Sequence, residues 1–353
     1  MGNNNQKKLK RKEMLKNKRI EEQLKDENTI EQINKILLCG TGDSGKSTMI
    51  KQMRILYCDG FPSEQVQLYK NAIQKSLRVN MKMLIQNGKS LGIHINDKVN
   101  KQLSEEYLTN FPTYKRNGVY CNKEVYTLKQ LWHDQSIQTV WKNRSEIQVP
   151  ENLDYYFNNL EKYCSPNFKP TNEDIVLFRI PTTGIVKINF HSQDTKWEII
   201  DVGGQRSERR KWIHHFQDVN LVFFIIAINE FNKKLYEDQT INRMNESITL
   251  CKNILNNKYF KKTDCSLVFT KTDLLKRSLQ KTEFKRYYSK YDGENNYEQV
   301  SEYIQKLFIK TIKKKNKRQV SSHLICATEN NEVEKIINIT IRKYLERKPI
   351  SII

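Results

Sequence analysis

Gly40-Thr41-Gly42-Asp43-Ser44-Gly45-Lys46-Ser47 satisfies the phosphate-loop pattern G-x-x-x-x-G-K-[ST]. A short apolar run at 33–38 precedes it and a helical pattern at 48–57 follows, so the segment reads strand, loop, helix. Phosphate chemistry needs that order. Glycines let backbone N–H groups wrap an anion, and the helix N-terminus adds positive potential. Lys46 reaches the outer phosphates, and Ser47 offers a hydroxyl to Mg²⁺.

Working outward, Trp197-Glu198-Ile199-Ile200-Asp201-Val202-Gly203-Gly204-Gln205 reads as an apolar strand ending in Asp, two glycines and a Gln. Asp201 is the expected second Mg²⁺ anchor. Gly204 lets a backbone N–H approach a γ-phosphate, and Gln205 is placed to orient an attacking water. A further strand end at 267–273 offers the Asp273 carboxylate to two N–H groups of a guanine edge, with the Lys271 stem along the base. Another, Cys326-Ala327-Thr328, offers a backbone N–H to the guanine oxygen. In this order after a phosphate loop, the two ends favour guanine over adenine.

Residues from about 60 to 175 carry almost no strand signal and many helical-period segments, such as 64–84 and 128–141. Strand-like runs return at 185–190, 197–201, 221–229, 265–270 and 323–327, alternating with helical stretches as in a parallel α/β sheet. An all-helical block inserted into an α/β domain is the expectation. Residues 313–318 read as a solvated basic loop.

The 353 residues suffice for two ordinary domains or one with a large insertion. Lys plus Arg number 61 against 40 Asp plus Glu, a formal charge of +21. Such an excess attracts nucleic acid, anionic lipid or an acidic protein face, and composition leaves the three open. No RNA-binding motif and no aromatic-basic interleaving supports a nucleic-acid partner. The longest apolar run, 221–228, falls short of the roughly 20 residues of a spanning helix. No apolar stretch follows the N-terminal charges as in a signal peptide, so a cytoplasmic or nuclear location is expected unless an anchor is added. Seven scattered cysteines show no C-x-x-C pair and no zinc spacing, and read as reduced and mostly structural. The first 30 residues place eight Lys and Arg ahead of Glu21, Glu22, Asp26 and Glu27, a dipolar leader expected to lie against a partner or a membrane.

DVGGQRSERRKW at 201–212, GTGDSGKST at 40–48 and Thr182-Thr183-Gly184-Ile185 together resemble the heterotrimeric G-protein alpha subunits. The likeness extends over nearly the whole chain. It includes Leu131-Trp132-His133-Asp134, Ile137-Gln138 and Tyr155-Tyr156-Phe157 in the helical block, an insertion that small Ras-like and ARF-like GTPases lack. It implies a Ras-like phosphate-loop GTPase domain over 33–59 and 179–353, an inserted all-helical domain over 60–178, and an N-terminal basic helix over 1–32. The implied function is a switch that hydrolyses GTP to GDP with Mg²⁺ and relays signals from G-protein-coupled receptors to effectors. The beta-gamma dimer and regulators of GTP hydrolysis are the further implied partners, at the cytoplasmic face of the plasma membrane. Arg179 matches the arginine finger in cis and joins Gln205 as the catalytic pair. Thr182 joins Ser47 as a direct Mg²⁺ ligand, with Asp201 acting through water. Nucleotide contacts are implied for Gly40, Asp43, Ser44, Gly45, Lys46, Ser47, Thr48, Glu151, Asn152, Val176, Leu177, Phe178, Arg179, Thr182, Asp201, Gly204, Thr270, Lys271, Asp273, Cys326, Ala327 and Thr328. Ile185, Lys211 and Trp212 match positions that face beta-gamma in the GDP state.

The chain departs from the family's pattern at identifiable places. Asp43 replaces the usual Glu, one methylene longer, and is expected to alter any ion pair closing the site. Thr270 stands where most of the family has Asn, and is expected to lose the tie between guanine loop and phosphate loop. Val176-Leu177-Phe178 precede Arg179 where a Leu-Arg pair is common. Lys335 and Ile337 occupy positions where two phenylalanines usually pack, Pro349 interrupts the last helical turn, and the tail 350–353 has no Cys fourth from its end. Gly2 keeps the myristoylation acceptor, although Gln6 stands where Ser or Thr is preferred, and no Cys precedes Cys39. One acyl chain plus a polybasic helix meets the two-signal requirement for membrane attachment. The competing reading, an alpha subunit that binds guanine nucleotide but hydrolyses it slowly or no longer answers a receptor, is motivated by these departures, and retention of Arg179 and Gln205 argues against loss of hydrolysis.

Overall fold

The computed structural model describes residues 33–116, 119–147, 149–235, 237–313 and 318–347. The basic leader over 1–32 with Gly2 and Gln6, and the tail with Pro349, lie outside the described residues. Strand β1 (Asn34–Cys39) runs into the phosphate loop and α1 (Lys46–Tyr57). Seven helices follow among the described residues: α2 (Ser63–Ser90), α3 (Lys98–Arg116), α4 (Asn122–His133), α5 (Gln135–Lys142), α6 (Leu153–Phe157), α7 (Leu160–Cys164) and α8 (Asn172–Leu177). The chain then returns as β2 (Ile185–Ser192) and β3 (Thr195–Val202). It continues through β4 (Leu221–Ala227), α9 (Arg243–Leu255), β5 (Asp264–Thr270), α10 (Thr272–Leu279), α11 (Tyr297–Thr311), β6 (Val320–Leu324) and α12 (Asn330–Arg347).

The strands form one sheet in the order β2-β3-β1-β4-β5-β6. Every neighbouring pair is parallel except β2 with β3, where Ile185 lies opposite Val202, so the expected parallel sheet is corrected at one edge. Only Gln193 and Asp194 join those strands, both at φ 53°, as a tight hairpin demands, whereas a parallel pair needs a long crossover. Successive side chains along the strands point to opposite faces. One face packs Leu37, Phe224, Leu267 and Phe269 against Met244 and Leu255 of α9 and Phe308 of α11. The other packs Ile36, Phe223 and Val268 against Met49 and Met53 of α1 and Ile337 and Ile341 of α12. Ile337 is thus a core residue, while Lys335 is exposed. The segment from α2 to Phe178 gathers its own apolar cluster, in which Trp132 stacks on Phe157 at 4.8 Å between ring centroids.

Three local expectations are corrected. The helical run 128–141 breaks at Asp134, whose carboxylate accepts N–H groups from Ser136 (2.8 Å) and Ile137 (3.3 Å) and so starts α5 afresh. The last strand is Val320–Leu324 rather than 323–327, because its ladder on β5 ends with Ile325 N–H donating to Phe269 O, where β5 itself ends. Arg318 is not solvated. It is buried and donates to Leu255 O at the end of α9 and to Phe260 O (2.9 Å) just beyond it. No helix among the described residues is long and apolar enough to cross a membrane.

The helical segment contains a buried ion pair. Arg78 Nε and Nη2 donate to Glu124 Oε1 and Oε2 at 2.6 and 2.9 Å, and the guanidinium lies 3.9 Å from the Tyr120 ring centroid. Removing one partner leaves a desolvated charge, so Glu124→Ala is expected to cost about 3–5 kcal/mol. Its urea midpoint measures this, with Arg78→Met/Glu124→Leu recovering part of the loss. An unchanged midpoint in Glu124→Ala would mean that water reaches the pair.

Candidate functional site

Because β3, β1, β4 and β5 are parallel, their C-terminal ends share one edge, and the chain leaves β1 for neighbours on opposite sides. Ligands of open α/β sheets settle at such switch points. Here a cavity of about 880 Å³ opens between the phosphate loop, the 149–182 segment and the loops after β5 and β6. Of the expected contact residues, Gly40, Asp201 and Thr270 stand behind the cavity wall, and all the others line it.

Gly45 caps α1 with φ 101°, a left-handed conformation that suits glycine, and a side chain there would press on Thr270. Lys46 is buried, and its Nζ folds back onto Gly40 O (2.9 Å) and Thr41 O (2.7 Å). Burial pushes its pKa down, and the Asp201 carboxylate works the other way. Gly204 sits so close to Lys46 Nζ and Thr41 O that a Cβ would fall 2.5 and 2.6 Å from them, so only glycine fits. Gln205 is exposed at the cavity wall. Behind it, Arg209 donates to Gly204 O (3.2 Å), and both Arg209 and Arg206 pair with Glu246 (2.6 and 2.8 Å). Hydrogen bonds from Arg206, joined by Arg209 against the opposing pull of burial, hold the Glu246 carboxyl down at about 2. Trp212 is buried with Nε1 on Gly203 O (2.8 Å), so it packs beneath this turn, whereas Ile185 and Lys211 are exposed.

Three hard oxygens converge at the start of α1. Ser47 Oγ lies 2.5 Å from Thr182 Oγ1 and donates to Asp201 Oδ2 at 3.1 Å. Asp201 Oδ1 is buried and has no hydrogen-bond partner among the described residues. Two hydroxyls and a carboxylate with a spare oxygen fit a small hard cation such as Mg²⁺, which keeps waters and takes further ligands from phosphate.

Asp43, at φ 67°, is the acidic centre of the cleft. It pairs with Arg179 (3.0 Å) and Arg243 (3.3 Å), and Lys271 Nζ stands 4.0 Å away. The ion pair expected to be altered by the shorter side chain is therefore made. Burial opposes the charge, but Lys271, Arg179, Arg243 and Lys233 hold the carboxyl well below its usual range. Arg243 also pairs with Glu230 at 2.6 Å.

At the other end, Thr270 Oγ1 donates to Ser44 O at 2.7 Å. The tie between strand end and phosphate loop is thus kept by a hydroxyl, which corrects the expectation that it is lost. Asp273 Oδ1 accepts from Cys326 Sγ (3.4 Å). Cys326 N–H is already taken by Glu332 (2.7 Å), so Cys326 is not the residue whose amide is free for a base. Gln52 of α1 donates to Thr328 O at 2.6 Å, joining the phosphate-loop helix to this loop.

Glu151 pairs with Lys233 and lies 3.6 Å from Arg144, while Asn152 donates to Leu177 O. Sequence reasoning missed Lys233 and Lys51. Lys51 lines the cavity and reaches the carbonyls of Ile175 and Phe178, and burial pushes its pKa to about 7. Its only sequence signal was its place on the helix after the phosphate loop.

The sequence profile described as "G-protein alpha subunit" matches residues 14–344. The guanine nucleotide-binding protein alpha-3 subunit of Caenorhabditis elegans is 32% identical over 328 residues, 93% of each chain. The alpha-1 subunit of Mycosarcoma maydis is 32% identical over 324 residues, covering 92% of this chain and 91% of its own. The alpha-17 subunit of C. elegans is 33% identical over 335 residues, 94% of each.

Thr270→Val removes the hydroxyl and leaves Ser44 O without that donor. The net worth of such a bond is about 0.5–1.5 kcal/mol, so bound nucleotide should dissociate about two- to tenfold faster, as followed by release of a fluorescent analogue. Unchanged release would show that the hydroxyl does not stiffen the loop.

Proposed function

Since this chain belongs to the G-protein alpha subunit family, we propose that it relays signals from G-protein-coupled receptors to effectors by cycling between GDP- and GTP-bound forms. It is a guanine nucleotide-binding signalling protein and a GTPase, with the partners of heterotrimeric G-protein signalling. In the proposed cycle the GDP form binds a beta-gamma dimer and the GTP form releases it for an effector, with regulators of GTP hydrolysis setting its lifetime.

The observation that carries the reading is the lining of one cavity by Lys46, Ser47, Thr182, Arg179 and Gln205. In this reading Lys46 and the phosphate-loop N–H groups bind the phosphates, and Asp273, with amides of the loop at 326–328, reads guanine. Mg²⁺, when bound, offsets phosphate charge. Ser47 and Thr182 would hold it directly and Asp201 through water, which suits the unpartnered Asp201 Oδ1. Gln205 orients a water for in-line attack on the γ-phosphorus, and the bond to the bridging oxygen breaks to leave GDP and phosphate. Arg179, resting on Asp43 in this structure, stabilises the charge of the transferring group. Gly204 reports the γ-phosphate and tightens 205–215. Residues 60–178 act as the inserted helical domain against 33–59 and 179–353, and nucleotide release requires the two to part.

Single-turnover hydrolysis of bound GTP with Mg²⁺ tests the mechanism. Arg179→Ala and Gln205→Leu should bind GTP yet hydrolyse it about 10- to 1000-fold more slowly than wild type. A wild type that binds GTP but turns over no faster than the variants would make the chain a nucleotide-gated binding module. We further propose attachment to the cytoplasmic face of the plasma membrane through a myristoylated Gly2 and the basic leader. Binding of the acylated protein to anionic vesicles should then weaken as salt rises. Salt-indifferent binding would sink the electrostatic part.

A further inference from the structure

Lys51 is a buried amine, 7% exposed, with no carboxylate paired to it among the described residues. Taking an ammonium out of water without a counter-charge is costly. Its partners are two carbonyls and a ring: Nζ donates to Ile175 O (3.0 Å) and to Phe178 O, and stands 5.1 Å from the Tyr69 ring centroid. Those carbonyls lie at the C-terminal end of α8, the negative end of its dipole, and Ile175 O also accepts the Phe178 N–H at 3.2 Å.

The residue after Phe178 is Arg179. A peptide unit is planar, so holding Phe178 O also holds the Arg179 N–H and Cα, the point from which the Arg179 side chain departs. The opposite end of α8 is fixed too. Thr171 and Asp174 form a reciprocal cap, and Asp174 Oδ1 accepts from Tyr155 (3.0 Å), Tyr163 (2.6 Å) and Lys162 (2.8 Å). Lys51 belongs to α1, the helix that begins with Lys46 and Ser47. The backbone that carries the arginine is therefore referenced, through one amine and its two hydrogen bonds, to the helix that carries the phosphate-binding groups.

We propose that Lys51 is the positioning residue of Arg179 in GTP hydrolysis, acting by pinning the Phe178–Arg179 peptide to α1. The inference rests on Arg179 having the catalytic role assigned above. Misplacing a catalytic group by about 1 Å can cost on the order of 100-fold, so Lys51→Met should slow single-turnover hydrolysis by about 10- to 100-fold in the full chain. Binding of a non-hydrolysable GTP analogue should change no more than about threefold. Lys51→Arg, which restores N–H donors for the two carbonyls, should recover part of the rate. Lys51→Met/Arg179→Ala should be no slower than Arg179→Ala alone, because the lysine acts through the arginine. Wild-type hydrolysis in Lys51→Met, or losses that multiply in the double variant, would overturn the proposal. Should Lys51→Met fail to fold, Lys51→Gln, which keeps an amide donor for one carbonyl, is carried through the same cycle with the same criteria. A normal rate in Arg179→Ala would instead overturn the parent assignment, and the positioning role with it.

Discussion

Asp43 pairs with Arg179 at 3.0 Å and with Arg243 at 3.3 Å, with Lys271 4.0 Å away. One carboxylate on the phosphate loop thereby gathers the arginine that leaves α8, the first residue of α9 and the residue that closes β5. They come from three separate parts of the chain, and Glu230 shares the task, pairing with Arg243 at 2.6 Å and standing 3.9 Å from Lys271. The surplus of positive charge around Asp43 also gives the cleft a potential that favours an anionic ligand. A polyphosphate entering there competes with Asp43 for the same cations, which makes the ion pairs of this structure partners to be shared or exchanged on binding.

What could be read in the sequence follows from how local each contact is. The phosphate loop was legible because its anion-binding geometry lies within eight consecutive residues between a strand and a helix. Asp201 was legible because an apolar strand ends on it. Ser47 lies 135 positions from Thr182 and 154 from Asp201, and while Ser47 and Asp201 were read as Mg²⁺ anchors from the sequence, Thr182 joined them only through the family resemblance. The Thr270 hydroxyl bond to Ser44 O spans 226 positions, and reading side-chain types alone turned it into a lost tie. Lys51 and Lys233 look like ordinary helix and loop lysines until α8 and Glu151 are brought to them. The β2 edge was misjudged for the opposite reason: its direction is set by a two-residue turn, whose φ of 53° at Gln193 and Asp194 no apolar pattern announces.

The helical segment is stabilised by different means from the sheet. The sheet relies on buried central strands, with β4 and β5 buried along their whole length. The helices bring polar groups into their core and satisfy them, as with Arg78, Glu124 and the tyrosine hydroxyls on Asp174. Directional bonds of this kind specify a relative arrangement of short helices that apolar contact alone would leave loose. Asp174 lies in the first turn of α8, five residues before Arg179, so that specification is passed to the chain entering the cleft.

The left-handed backbone of Asp43 has a consequence for which side chains the position admits. Outside glycine, that region of φ and ψ is populated chiefly by Asn and Asp, whose short polar groups tolerate it. Position 43 must meet two requirements at once: a backbone turned the uncommon way, at φ 67°, and a negative charge for Arg179 and Arg243. Asparagine meets the first without the second, glycine meets the first and discards the side chain, and glutamate meets the second on a backbone less suited to it. The shorter acid answers both, while the family's usual glutamate keeps the charge at the cost of a less suited backbone, so the position selects for an acid rather than for a neutral side chain.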